Sequence, residues 1–135
     1  MCFMNVAEQI TALINQADQA ITEERFDDLM DFYTEDAVLI VRPGVEVHGR
    51  VAIREAFIKI AAYFKHSLKP VQGKRLFLEA GDTVLFLAQT FIEADNKADS
   101  AYDYERHATY VYRRVNGRWL CAIDNSYGTT LLRSE

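Results

Sequence analysis

The chain has 135 residues, half of them hydrophobic, enough for one domain that buries about two thirds of its unfolded surface. Its 20 acidic residues outnumber 15 basic ones, for a net charge of −5. With no basic block longer than Arg113-Arg114, this argues against a nucleic-acid footprint and against an anionic membrane surface.

Cys2 and Cys121 are too few for a disulfide framework and lack the Cys-x-x-Cys spacing of a metal site. The amino terminus, MCFMNVAEQI, has neither the basic segment nor the apolar core of a signal peptide, and no apolar run approaches a membrane span. The expected location is cytoplasmic.

From Asn5 to about Ile21, apolar residues recur at Val6, Ile10, Leu13, Ile14, Ala17 and Ile21, which is helical spacing, and Asn5 with Glu8 forms a capping pair. Thr22-Glu23-Glu24 starts a second, shorter helix with an apolar stripe at Phe26, Leu29, Met30 and Tyr33, ended by Thr34-Glu35-Asp36. Ala37 to Val41 is a β-branched run, Arg42-Pro43-Gly44 a turn, and Val45 to Val47 a short return strand. Ile53, Phe57, Ile60, Ala61 and Phe64 make a third amphipathic helix from Val51 to about His66, stopped before Pro70.

Strands follow: Val71 to Ala80, a Gly81-Asp82 turn, Thr83 to Ala94, a polar loop at Asp95 to Ser100, and a long hairpin about Asn116-Gly117. Both turn residues tolerate the positive φ of a two-residue type I′ connection. A turn that tight puts Tyr112 opposite Cys121, Tyr110 opposite Ile123, Ala108 opposite Asn125 and Arg106 opposite Tyr127. One face then carries Tyr102, Tyr104, Arg106, Ala108, Tyr110, Tyr112, Trp119, Cys121, Ile123, Asn125 and Tyr127. The other carries His107, Thr109, Val111, Arg113, Leu120, Ala122, Asp124 and Ser126. In the preceding strand Leu85, Leu87, Gln89, Phe91 and Glu93 share one face, and Val84, Phe86, Ala88, Thr90 and Ile92 the other.

Helices that precede an antiparallel sheet define an α+β class, here a half-open cone of three helices in the amino-terminal half folded on a curved, mainly antiparallel sheet. A strand apolar on both faces is covered on both faces. The helices cover one, and the outer face is expected to join two copies as a homodimer.

The segment RFDDLMDFYTEDAVLIVRPGVEVHGRVAIREAF, from Arg25 to Phe57, resembles the early part of nuclear transport factor 2-like domains. Thr109-Tyr110-Val111 through Asn116-Gly117-Arg118-Trp119 is similar to the Thr-x-Val…Gly-x-Trp pattern of their SnoaL-like and kinase II association-domain branches. The resemblance spans nearly the whole chain as one domain, 1–135. It implies a cystatin-like cone with an apolar cavity, usually dimeric; some members are isomerases, dehydratases, epoxide hydrolases or cyclases, and others only bind or oligomerise. Against ketosteroid isomerases, Ala17 and Val41 stand where a helix-one tyrosine and a general-base aspartate are needed. Ile123 and Asn125 replace two histidines, and Phe91 and Tyr110 replace arginines of the association domains.

The aromatic wall of the hairpin suits a small-molecule pocket. Arg106 on that wall either clamps an anionic or carbonyl ligand or is paired internally with Glu93, Tyr104 or Tyr127. Asn125 and Tyr127 orient a ligand oxygen or satisfy each other, and Tyr104 and Tyr110 offer phenol donors. Gln89 and Phe91 complete the inward set. No histidine is an evident base, Asp124 faces the outer side, and no metal cluster, nucleophile–base pair or phosphate loop is present. The expectation is a cofactor-free, metal-free pocket for a small, largely apolar molecule with a carbonyl or carboxylate, open to isomerase, cyclase or dehydratase chemistry. The alternative is a non-catalytic association module.

Overall fold

A computed structural model describes residues 4–93 and 105–132. The elements are α1 (Val6–Thr22), α2 (Phe26–Met30), β1 (Tyr33–Arg42), β2 (Val45–His48), α3 (Arg50–Tyr63), β3 (Lys69–Ala80), β4 (Thr83–Glu93), β5 (Glu105–Val115), β6 (Arg118–Asn125) and a 3-10 turn, Gly128–Leu132. Asn5 and Glu8 form the expected reciprocal cap of α1. Gly49, at φ 87°, precedes α3 and donates its N–H to the Ala37 carbonyl, tying the helix start to β1.

Six strands form one mixed sheet in the order β2-β1-β6-β5-β4-β3, antiparallel except where β1 runs beside β6. Three helices pack on it, so the α+β expectation holds. The sheet takes in β1 and β2 beside the four long strands through the parallel pairing of β1 with β6, and Tyr33 to Asp36 belong to β1 instead of closing α2. The aromatic and apolar character of Phe32-Tyr33 serves a strand as well as a helix, and pairing with Cys121 decides it. The core runs from Ile10 and Ile14 of α1 and Ile53 and Phe57 of α3 to Val84, Phe86 and Trp119 of the sheet.

Asn116 and Gly117 take φ 51° and 80°, so the hairpin turn is the tight one expected. The register holds through Val115↔Arg118, Arg114↔Trp119 and Tyr112↔Cys121. It then slips by one residue at a bulge: Val111 meets Ile123, Tyr110 meets Asp124 and Thr109 meets Asn125. A bulge puts two residues of one strand against one of the other, so every later side chain of β6 changes face. Ile123 therefore turns outward, and Asp124 turns in.

The faces of β4 are also the reverse of the expectation. Phe86 pairs with Tyr110 and Thr90 with Arg106, so Val84, Phe86, Ala88, Thr90 and Ile92 face the helices. Leu85, Leu87, Gln89 and Phe91 face out. Both faces of β4 are apolar, so periodicity alone does not orient it; cross-strand pairing with β5 does. Phe86 is fully buried, its ring stacked between Phe77 at 4.5 Å and Tyr110 at 5.6 Å.

Candidate functional site

Between the helices and the inner face of the sheet lies a cavity of about 130 Å³. That is near the ~150 Å³ of an apolar cavity that holds one benzene ring. Ile14, Ala17 and Ile21 of α1, Phe57, Ile60 and Phe64 of α3, and Tyr110 and Tyr112 of β5 give it a mainly apolar wall. Its polar groups are few and convergent: Asp18, Gln72, Thr90, Arg106, Tyr110, Asp124 and Ser126.

Asp18 sits four residues after Ile14 and three before Ile21, so the spacing that buries the apolar stripe of α1 carries its carboxyl inside as well. Burial pushes its pKa up to about 7; the Gln72 amide lowers it and the charge of Asp124 raises it. The Gln72 Nε2 donates to Asp18 Oδ2 at 3.1 Å, and Gln72 Oε1 accepts from Thr90 Oγ1 at 3.3 Å. Thr90 in turn is the hydrogen-bonding neighbour of the Tyr110 phenol. A polar chain thus crosses the cavity wall from α1 through β3 and β4 to β5.

Asp124 comes in through the bulge in β6. The Tyr33 hydroxyl donates to its Oδ2 at 2.5 Å. Burial raises the pKa of Asp124, opposed by the Tyr33 hydrogen bond and by the charge of Arg106. The Tyr33 hydrogen bond and the Arg106 charge favour the ionised form of Asp124, whereas Asp18 has only the Gln72 amide on that side. Unequal surroundings of this kind separate the roles of two acids in one site. Burial pushes the phenols of Tyr33, Tyr110 and Tyr112 and the thiol of Cys121 upward, so all four stay protonated at neutral pH.

Arg106 does line the cavity. Its Nη1 donates to Ser126 Oγ at 2.8 Å and its guanidinium stacks 4.4 Å from the centre of the Tyr127 ring. Tyr110 lines the cavity too. Tyr127 is buried behind Arg106, with its hydroxyl donating to the Val41 carbonyl at 3.3 Å, so it packs and does not line. Asn125 is turned by the bulge toward Thr109. Its Nδ2 donates to Thr109 Oγ1 and the Gly128 carbonyl, and its Oδ1 accepts from the amides of Tyr127 and Gly128, making it the cap of the final turn.

Gln89 and Phe91 stand on the outer face. The Gln89 Oε1 accepts from the Lys74 amide at 3.4 Å, at the bulge of β3 where a Cβ on Gly73 would press on the Gln89 side-chain oxygen and the Phe91 ring. Tyr104 lies outside the described residues. Sequence reasoning missed Asp18, Gln72, Thr90, Asp124 and Ser126. An acid on the apolar stripe of α1 was a legible signal for Asp18; nothing in the sequence marked the bulge that admits Asp124.

Among the described residues no group of three or more His, Cys, Asp or Glu side chains is placed to hold a metal ion, and no helix is long and apolar enough to cross a membrane.

The α+β cone, with a cavity between its helices and its sheet, fits the fold of the SnoaL-like and nuclear transport factor 2-like proteins. The SnoaL-like domain matches residues 10–122, and the chain belongs to that family. No curated protein matches it in sequence. Among solved structures it is similar to a protein from Xanthomonas campestris described as a calcium/calmodulin-dependent protein kinase II association domain, at 20% identity over 90% of this chain and 86% of that one, TM-score 0.72. A nuclear transport factor 2-like protein with a cystatin-like fold from Novosphingobium aromaticivorans shares 16% identity over 95% of this chain and 89% of that one, TM-score 0.72. Aln2 from a Streptomyces species shares 13% identity over 100% of this chain and 99% of that one, TM-score 0.82. At these identities the likeness concerns the fold.

Proposed function

We propose that the cavity is a binding site for a small, largely apolar molecule of about one ring, with its polar end against Asp18, Asp124 and Tyr110. The chemistry this supports is cofactor-free proton transfer, of the kind used in isomerisation, cyclisation or dehydration, in which Asp18 takes and returns a proton. The observation that carries the reading is the pair of inward carboxyls with unlike partners in an otherwise apolar chamber. Structural acids gain nothing from such a place, since burial disfavours their charge.

Of the two ligand groups expected from the sequence, a carboxylate is the poorer fit, because two acids and a single guanidinium already engaged with Ser126 would face it. The test is a fragment screen by protein-observed NMR. Shifts that cluster on Ala17, Asp18, Thr90 and Tyr110 support the site; fragments that bind elsewhere, or a chamber that takes none, refute it.

A homodimer through the outer sheet face is a second proposal, favoured by Leu76, Leu78 and Ile123, which stand 54%, 48% and 41% exposed there. Exposed apolar clusters of this kind mark interfaces.

A further inference from the structure

We propose that the polar end of the ligand is a protonated amine, so that the cavity selects an ammonium group on a one-ring apolar body over a ketone or a carboxylate. This rests on the small-molecule reading of the same cavity and assigns its ligand class.

The argument begins with a count of donors and acceptors. Donors of the polar wall are engaged with one another: Gln72 Nε2 with Asp18, Thr90 Oγ1 with Gln72, the Tyr110 phenol with Thr90, Tyr33 with Asp124, and Arg106 Nη1 with Ser126. Each of these bonds to a carboxyl goes to Oδ2. The Oδ1 atoms of Asp18 and Asp124 accept from no described side chain or backbone amide. A chamber with acceptors in excess is completed by a guest that brings donors, and an ammonium brings three. A ketone brings none and leaves the Oδ1 acceptors unpaired.

Charge and wall point the same way. The ionisable groups that face Asp18 are Asp124 of β6, Arg106, Tyr110 and Tyr112 of β5, and, next to Asp124, Tyr33 of β1 and Cys121 of β6; α3 and β3 present uncharged Phe57, Ile60, Phe64, Pro70 and Gln72. Arg106 offsets Asp124, which leaves Asp18 as the acid with no cation among the described residues. Burial opposes its ionisation, and a cation seated beside it removes that opposition. The aromatic rings of the wall add the attraction of a π face for a desolvated ammonium.

Three probes with one ring and three head groups test this: cyclohexylammonium, cyclohexanone and cyclohexanecarboxylate, titrated calorimetrically into the full chain. The amine should bind at least about tenfold more tightly than the ketone, and the carboxylate should be weakest. Because Asp18 titrates near 7, its ionised fraction, and with it the amine affinity, should rise about tenfold from pH 6 to pH 8. Asp18→Asn should weaken the amine about tenfold or more and flatten that pH dependence; Asp124→Asn, a separate variant, should weaken it as well. A ketone or carboxylate that binds as tightly as the amine, or wild-type amine affinity in a folded D18N, overturns the amine assignment and leaves the pocket standing. If none of the three binds, the pocket reading falls and this one with it.

Discussion

Replacing Asp18 by Asn should stabilise the protein, and by an amount that depends on pH in a defined direction. The Asp18 pKa lies at about 7 in the fold against 3.8 for the free group, so the fold favours its protonated form. A carboxyl with a raised folded-state pKa contributes stability that is fully present below about pH 4. That stability is lost as pH rises through about 7.

At about 1.4 kcal/mol per pH unit, the full rise corresponds to ~4 kcal/mol, an upper limit because Asp18 is only partly buried and solvent screens part of it. Asn cannot ionise, and its side-chain oxygen can still accept from Gln72. The stability difference between D18N and wild type should therefore be small at pH 4, grow through pH 5 to 7, and level off above pH 8 at about 2–4 kcal/mol in favour of D18N. Urea unfolding of both proteins across this range measures it, and the difference between the two curves cancels every other titrating group that is not coupled to Asp18. A difference that stays flat within about 0.5 kcal/mol from pH 4.5 to 8 would refute the claim that Asp18 is buried in the chamber.

Tyr33→Phe removes the donor to Asp124 and, because that bond favours the ionised carboxyl, should destabilise by about 1–3 kcal/mol, with a larger loss at pH 8 than at pH 4. Equal losses at both values would mean that the hydroxyl does not serve the carboxylate. Gly128→Ala would drive a Cβ into the His107 carbonyl oxygen at a backbone φ of +57°, so a loss of more than ~2 kcal/mol is expected by urea unfolding. Leu78→Asp, placed in the exposed outer patch, should convert a dimer into a folded monomer in sedimentation velocity; an unchanged sedimentation coefficient refutes that interface.

How far the sequence reaches is clearest in β5 and β6. Asn116-Gly117 determines the hairpin by itself, because the two residues accept a backbone that other residues avoid, and with it the register through Cys121. Local chemistry likewise dictates the Asn5–Glu8 cap and the apolar stripe that brings Asp18 inside. In the same way the three helices and the late run of strands follow from period and turn residues, and with them the α+β class.

The site needed more. Whether Asp124 or Ile123 enters the chamber depends on one extra residue at the β6 bulge, an irregularity set by pairing with β5 on one side and β1 on the other. The orientation of β4 depends on its partners too, since a strand apolar on both faces carries no signal of its own. Gln89 and Asn125 therefore exchanged places with Thr90 and Asp124. A period of two leaves the choice of face to the tertiary contacts, and the face decides which polar atoms a ligand meets.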